Sequence, residues 1–329
     1  MDTLRKKPLN SILTDYLEYC EIEKNLAQST VKMYDFYLND FFTWLRDELG
    51  TEKIFPSDIN PDTIHKYRVN LNRRKNSKSS GGYKKSTQKT FMVAIRAFLK
   101  YLIVELGLDV IPPDRIILGK ESDRVPNVLN DNQLEELFSV QDLNKLSGVR
   151  DRAILETLFS TGLRVSELVA LNLEDINLKS GEFTVLGKGG KARIVYLSDS
   201  AKNWLRRYLS TRRDEFKPLF IRYSGKSMDE NDADGESLRL TTRSIQRMVK
   251  KYVKRSGLAV DATPHTLRHT FATDLLSEGA DLRSVQELLG HSDVSTTQIY
   301  THITDKRLKE VHEKYHKNIV ADESGVDAA

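Results

Sequence analysis

Between Pro264 and His302 the chain reads PHTLRHTFATDLLSEGADLRSVQELLGHSDVSTTQIYTH, where histidine, arginine and tyrosine recur at short spacings. At about 3.6 residues per turn, His265 and Arg268 fall on one helix face, so an imidazole and a guanidinium point into the same space. Gly290 reads as the end of the next helix and delivers His291 at its edge; a short polar turn then leads to a helical stretch bearing Tyr300. Arginine offers a planar fork for two phosphate oxygens, histidine moves a proton near neutral pH, and tyrosine supplies an oxygen nucleophile able to hold a covalent phosphate. Upstream, TGLRVSELVAL sets Arg164 just past a glycine that ends a helix, with Glu167 three residues later. LGKGGKAR places Lys188 beside a glycine turn, from which a long cationic side chain can enter a site, and Lys191 and Arg193 read as phosphate-backbone contacts.

Each of these residues has a plainer reading when taken alone. A single histidine satisfies local hydrogen bonds, and a lysine near a hairpin tip aids solubility. His265 and His269 stand four apart, a zinc-ligand spacing, but the metalloprotease pattern needs Glu directly after the first histidine and Thr266 is there instead, so no metal is expected.

The elements that must position these groups are mainly helical. Four amphipathic helices are expected in the first hundred residues, with apolar stripes at Leu9, Ile12, Leu13, Tyr16, Leu17 and Cys20, then at Val31, Tyr34, Leu38, Phe41, Phe42 and Leu45. Ser29 or Thr30 is expected to cap the second helix, which ends near Gly50; Asn60 caps the third, with Pro61 in its first turn and Ile64, Tyr67 and Leu71 on its stripe. The fourth runs from about Ser86 to near Gly107. Loss of periodicity and Pro112, Pro113 and Pro126 mark residues 108–127 as a linker. The second domain opens with helices around Asp131 to Val140 and Gly148 to Ser160. GEFTVLGK and KARIVYLS then form a hairpin through Gly189 and Gly190. The acidic stretch from Gly225 to Ser237 reads as a loop between later helices. The fold class expected is therefore mainly α with a small β-hairpin or sheet, over residues 1–107, a linker at 108–127, a second domain at 128–316 and a disordered tail at 317–329.

Composition bounds the rest. Hydrophobic residues at 39% and charged residues at 30% suit a folded globular chain, and the apolar runs are short and interrupted by charge. Neither export nor membrane insertion is expected, which makes the cytoplasm the expected location. A lone cysteine, Cys20, excludes an intrachain disulfide. The net charge of +4 is modest, but its distribution is not: no Asp or Glu occurs from Thr63 to Val104, a window that holds Arg73, Arg74, Lys75, Lys84, Lys85 and Lys89 among its cations. A polyanion releases counterions there, which makes these residues candidate nucleic-acid backbone contacts; a solvated loop flanked by two lysine-rich helix faces accounts for the same charge.

Taken in order, Arg164, Lys188, His265, Arg268, His291 and Tyr300 resemble the active-site set of the tyrosine recombinases, or phage integrase family. The strings TGLRVSELVAL, GKGGKAR, HTLRHTFAT, LLGHSDVSTTQIYTH and RLKEVHEKYH are similar to its Xer branch. More loosely, STVKMYDFYLNDFFTWL resembles the family's helical core-binding domain, so the likeness spans nearly the whole chain. It implies an all-helical core-binding domain followed by an α+β catalytic domain that cuts and rejoins double-stranded DNA. Tyr300 would attack the scissile phosphodiester, leaving a 3′-phosphotyrosine and a free 5′-hydroxyl. Arg164 and Arg268 would hold the non-bridging oxygens, His265 would assist proton transfer, Lys188 would protonate the 5′-oxygen, His291 would hydrogen-bond the phosphate and Glu167 would support them.

The same resemblance implies no metal and no ATP, hence no cofactor. It implies a homo- or hetero-tetramer on synapsed DNA, with the helix bearing Leu308, Val311 and Tyr315 docked in a neighbouring subunit. Dimer resolution of chromosomes or plasmids is the role it suggests. A mobile-element integrase and a relaxing type IB topoisomerase share the pocket chemistry, and a DNA-binding protein without catalysis is the alternative from another class.

Overall fold

The computed structural model describes residues 7–74, 82–119, 127–187, 190–225 and 232–290. Lys75, Lys188, His291, Tyr300, the docking helix and the tail lie outside these, as do residues 226–231 of the acidic stretch. The chain divides into two compact units, Met1–Asp123 and Arg124–Ala329.

The first unit is built on four helices, α1 (Leu9–Ile22), α2 (Gln28–Leu49), α3 (Pro61–Arg73) and α4 (Lys85–Val104). Their buried faces are the apolar stripes of the sequence, so Leu9, Ile12, Leu38, Phe41, Phe42, Tyr67, Phe98 and Leu102 share one core at 0% exposure, enough to hold a small helical unit by apolar burial. Asn60 caps α3 as expected: its side chain accepts the Thr63 N–H at 3.0 Å, and Thr63 Oγ1 accepts the Asn60 N–H at 3.0 Å. The cap expected for α2 is different. The helix starts earlier, at Gln28 after Ala27, so Ser29 and Thr30 sit inside the first turn, which closes through the backbone as Thr30 N–H donates to Ala27 O at 2.7 Å. Leu108 and Ile116 are buried in this same core, so the first part of segment 108–127 packs on the helices before it.

The second unit contains helices α5 (Asp131–Ser139), α6 (Leu146–Thr161), α7 (Val165–Ala170), α8 (Asp199–Ser210), α9 (Thr242–Arg255), α10 (Pro264–Ser277) and α11 (Leu282–Leu289) and a two-stranded antiparallel sheet, β1 (Glu182–Leu186) and β2 (Ala192–Tyr196), with one face on the core. α6 is central: Val149, Ala153, Ile154, Leu155, Thr157 and Leu158 are all buried, on several faces of the helix. In the sheet Phe183 pairs with Val195 and Val185 with Arg193, and Phe183, Val185 and Val195 face the core. Period-2 alternation therefore turns Arg193 inward. A smaller cluster of Ala272, Leu276, Val285 and Leu289 binds α11 to α10.

Candidate active site

Three helix termini bring the candidate residues together. α6 ends at Gly162, whose φ of +59° is the left-handed conformation, and the chain turns straight into α7 with Arg164 at its N-cap. A Cβ at Gly162 would stand 2.5 Å from the Phe271 ring, so this turn admits only glycine on both counts. α11 ends in the same way at Gly290, with φ +62°. α10 begins at Pro264 behind the Thr263 cap, which places His265 in its first turn and Arg268 one turn later.

The three carbonyls at the end of α11 receive three arginines. Arg193 Nε donates to Leu288 O at 3.1 Å, Arg268 Nη2 to Leu289 O at 2.7 Å, and Arg164 Nη2 to Gly290 O at 3.4 Å. A helix C-terminus presents unpaired carbonyls and partial negative charge, which draws cations to it. Arg268 is 2% exposed and also donates to Gly162 O at the end of α6, which fixes its guanidinium between two helix ends.

Glu167 organises the remaining charge. Its Oε2 accepts the Arg164 backbone N–H at 2.8 Å and its Oε1 accepts Arg164 Nη1 at 2.9 Å, a capping arrangement that also orients the side chain of Arg164. Both oxygens are engaged by Arg193 as well, at 2.9 and 2.6 Å. Burial alone would raise the Glu167 carboxyl, but the hydrogen bonds from Arg193 and the Arg164 backbone outweigh it and hold the group below the usual carboxylate range. The Arg193 side chain is only 8% exposed, against 32% for Arg164. Expected as a phosphate-backbone contact, Arg193 is thus placed in the pocket wall, while Lys191 beside it is exposed.

His265 keeps part of its surface in solvent, while its ring packs edge-to-face on His269 with centroids 4.4 Å apart. Desolvation, then the charges of Arg268 and Arg164, lower its pKa from the ordinary 6.5, so the neutral imidazole prevails at neutral pH. Among the described residues no group of three or more His, Cys, Asp or Glu side chains is arranged to hold a metal ion. Arg164, Glu167, His265 and Arg268 are therefore assembled at one place, with two guanidiniums beside a proton-accepting imidazole, a setting for binding and activating a phosphate.

Of the expected DNA-backbone residues, Arg73, Lys84 and Lys85 are exposed and Lys89 is partly buried. Arg74 is tied to Asp40 by two hydrogen bonds of 3.0 and 2.7 Å, and the same carboxylate accepts Tyr67 Oη. Sequence reasoning missed a second cationic surface. α9 buries Ile245, Met248, Val249, Tyr252 and Val253 and exposes Arg243, Arg247, Lys250, Lys251, Lys254 and Arg255, with no acidic residue in the helix. The signal was present, because TRSIQRMVKKYVKR is as one-signed as the window in the first unit.

Two family models match the chain: the phage integrase family over residues 127–307 and the phage integrase N-terminal SAM-like domain over residues 13–105. Tyrosine recombinase XerD of Lacticaseibacillus casei is 36% identical over 308 residues, covering 94% of this chain and 99% of that protein. Tyrosine recombinase XerC of Pelotomaculum thermopropionicum is 37% identical over 306 residues, covering 92% and 97%. Among solved structures, a XerH site-specific recombinase bound to a palindromic difH substrate aligns with a TM-score of 0.64 at 21% identity, covering 93% of this chain and 85% of that one, a likeness of fold.

Proposed function

The chain belongs to the phage integrase family and is a Xer-like site-specific tyrosine recombinase, and we propose that it cleaves duplex DNA through Tyr300 with the pocket around Arg164 and Arg268 holding the scissile phosphate. The observation that carries this reading is the delivery of both arginines to consecutive carbonyls at the end of α11, the position from which the chain continues into His291 and the Tyr300 segment. The Tyr300 oxygen attacks phosphorus and the bond to the 5′-oxygen breaks, giving a 3′-phosphotyrosine. Lys188 supplies the proton to the leaving 5′-oxygen, and His265, neutral at physiological pH, takes the proton from the attacking side. Arg164 and Arg268 bind the non-bridging oxygens and stabilise the charge that develops on them, His291 adds a hydrogen bond, and Glu167 orients Arg164. Rejoining runs the same steps in reverse with a 5′-hydroxyl from the partner strand, so the phosphodiester energy is kept in the covalent link.

DNA is held from both units. In the first, Arg73, Lys75, Lys84, Lys85 and Lys89 serve as backbone contacts; in the second, Lys191 and the exposed face of α9 do so. Assembly as a tetramer on synapsed DNA, docking of the C-terminal helix in a neighbouring subunit, dimer resolution and a cytoplasmic location complete the reading. It is supported by the resemblance to XerD and XerC over nearly the whole chain; none of the described helices is long and apolar enough to cross a membrane.

The test uses nicked duplexes selected by this protein from a randomised pool. A denaturant-resistant protein–DNA adduct is expected from wild type and not from Tyr300→Phe. Binding without an adduct from wild type would favour a non-catalytic DNA-binding protein.

A further inference from the structure

We propose that Arg193 is a positioning residue of the cleavage pocket: it grips both oxygens of Glu167, so that Arg164 keeps its outward N–H groups for the scissile phosphate. The inference rests on the recombinase reading above.

The strand register requires a partner for this cation. Pairing with Val185 and alternation with Val195 turn residue 193 toward the core, where an unpaired guanidinium would be costly. The partner is Glu167, and the sharing of it is unequal. The buried Arg193 takes the two-point fork at 2.9 and 2.6 Å, while the side chain of the more exposed Arg164 makes one bond at 2.9 Å. A carboxylate and a guanidinium prefer to pair by two parallel bonds. Without Arg193, Glu167 is free to close that fork on Arg164, three residues before it. Such a pair neutralises Arg164 and occupies the edge that a phosphate needs. With Arg193 present, two guanidiniums face one carboxylate and the pocket keeps a net positive charge.

Arg193 also links two elements on either side of the pocket. Its Nε holds Leu288 O at the end of α11, and a Cβ on Gly290 would come within 2.9 Å of its Cδ. β2, which follows Lys188 in the sequence, is thereby fastened to the helix end that precedes His291 in the sequence. Each nitrogen of the Arg193 guanidinium already has a partner within the protein, Leu288 O for Nε and the two Glu167 oxygens for Nη1 and Nη2.

The experiment compares the full-length wild type with Arg193→Lys, Arg193→Met and the double variant Arg193→Met, Glu167→Gln on the selected nicked duplex. Three quantities are measured: the adduct-forming rate at saturating DNA, the Kd, and the dependence of Kd on salt. Loss of a residue that orients a reacting group costs roughly tenfold to a hundredfold, and Arg193→Met is expected to lose that much rate, with the salt slope lower by at most about 0.9 for the one phosphate contact that a neutralised Arg164 gives up. Arg193→Lys loses less, and the double variant recovers part of the rate because a neutral amide cannot quench Arg164. A salt slope lower by about 0.9 with an unchanged saturated rate would make Arg193 a phosphate contact and overturn the proposal. A double variant no faster than Arg193→Met, at equal thermal stability, would reduce its role to holding the fold. Should Arg193→Met fail to fold by circular dichroism, Arg193→Lys decides, a wild-type saturated rate sinking the proposal and a slower one supporting it. An absent adduct in wild type overturns the recombinase reading and this inference with it, whereas a cleaving wild type matched by every variant overturns this inference alone.

Discussion

Arg268 donates through Nη2 to the carbonyl of Leu289 at 2.7 Å, a contact between the middle of one helix and the last residue of the next, made by a side chain that is 2% exposed. The same guanidinium reaches Gly162 O, so one buried cation sets the separation of two helix ends. A buried cation tied to the backbone in this way has a fixed position before any DNA arrives, which is the condition for electrostatic stabilisation of a transition state.

Arg268→Met is expected to lose both stability and activity. Two buried carbonyls lose a donor, at about 1–3 kcal/mol each, so urea unfolding should show a loss of roughly 3 kcal/mol. The adduct rate should fall by about 10²–10³, the usual cost of one oxyanion-stabilising donor. A stability loss with normal cleavage would remove Arg268 from the chemistry.

Gly290→Ala and Gly50→Ala separate backbone strain from packing. Both glycines end helices at nearly the same φ, +62° and +63°, but an added Cβ meets Arg193 at Gly290 and nothing within 4 Å at Gly50. Strain alone costs about 1–2 kcal/mol and applies to both variants. Gly290→Ala is expected to be the less stable of the two in thermal melts and the only one with slowed cleavage.

The neutral form of His265 sets the acid limit. Its folded pKa lies below 6.5 because desolvation, Arg268 and Arg164 disfavour the imidazolium. The unfolded chain therefore binds more protons in the window below 6.5; stability from this group is present above that value and lost as pH falls through the folded pKa. The acid limb of the adduct rate should likewise lie below pH 6.5. Arg164→Ala removes one of the opposing charges, so the His265 resonance followed by NMR should titrate at higher pH than in wild type.

The α9 surface should govern affinity rather than rate. Replacing Arg247, Lys250 and Lys254 together by alanine is expected to weaken DNA binding and to lower the slope of log K against log salt by up to about 0.9 for each phosphate no longer neutralised. Arg74→Ala, which removes a cation already paired with Asp40, should change that slope less. Equal slopes for the triple variant and wild type would remove α9 from the interface.

Much of this protein is legible in its residues taken in order. The stripes from Leu9 to Cys20 and from Val31 to Leu45 fix which face of each helix is buried, since a helix repeats every 3.6 residues and apolar area must leave water. The Asn60 cap was equally readable, being a local hydrogen bond between a side chain and a backbone group three residues away. The α2 start was not, because Ser29 and Thr30 compete with a backbone-closed turn at Ala27 and sequence carries no energy scale for that choice.

By itself the sequence determined the family, the helical stripes and the identity of the groups able to handle a phosphate, because those depend on residue type and on spacing along the chain. Tertiary structure alone decided what each cation does. In β2 the residues Ile194, Val195 and Tyr196 are all apolar, so alternation in that strand points nowhere, and only its pairing with β1 turns Arg193 into the pocket wall, whereas Lys191, which precedes the strand, is exposed. Charge is read from the chain, but its partner and its solvent are set by which surfaces meet, and those decide whether an arginine holds a carboxylate, a carbonyl or a phosphate.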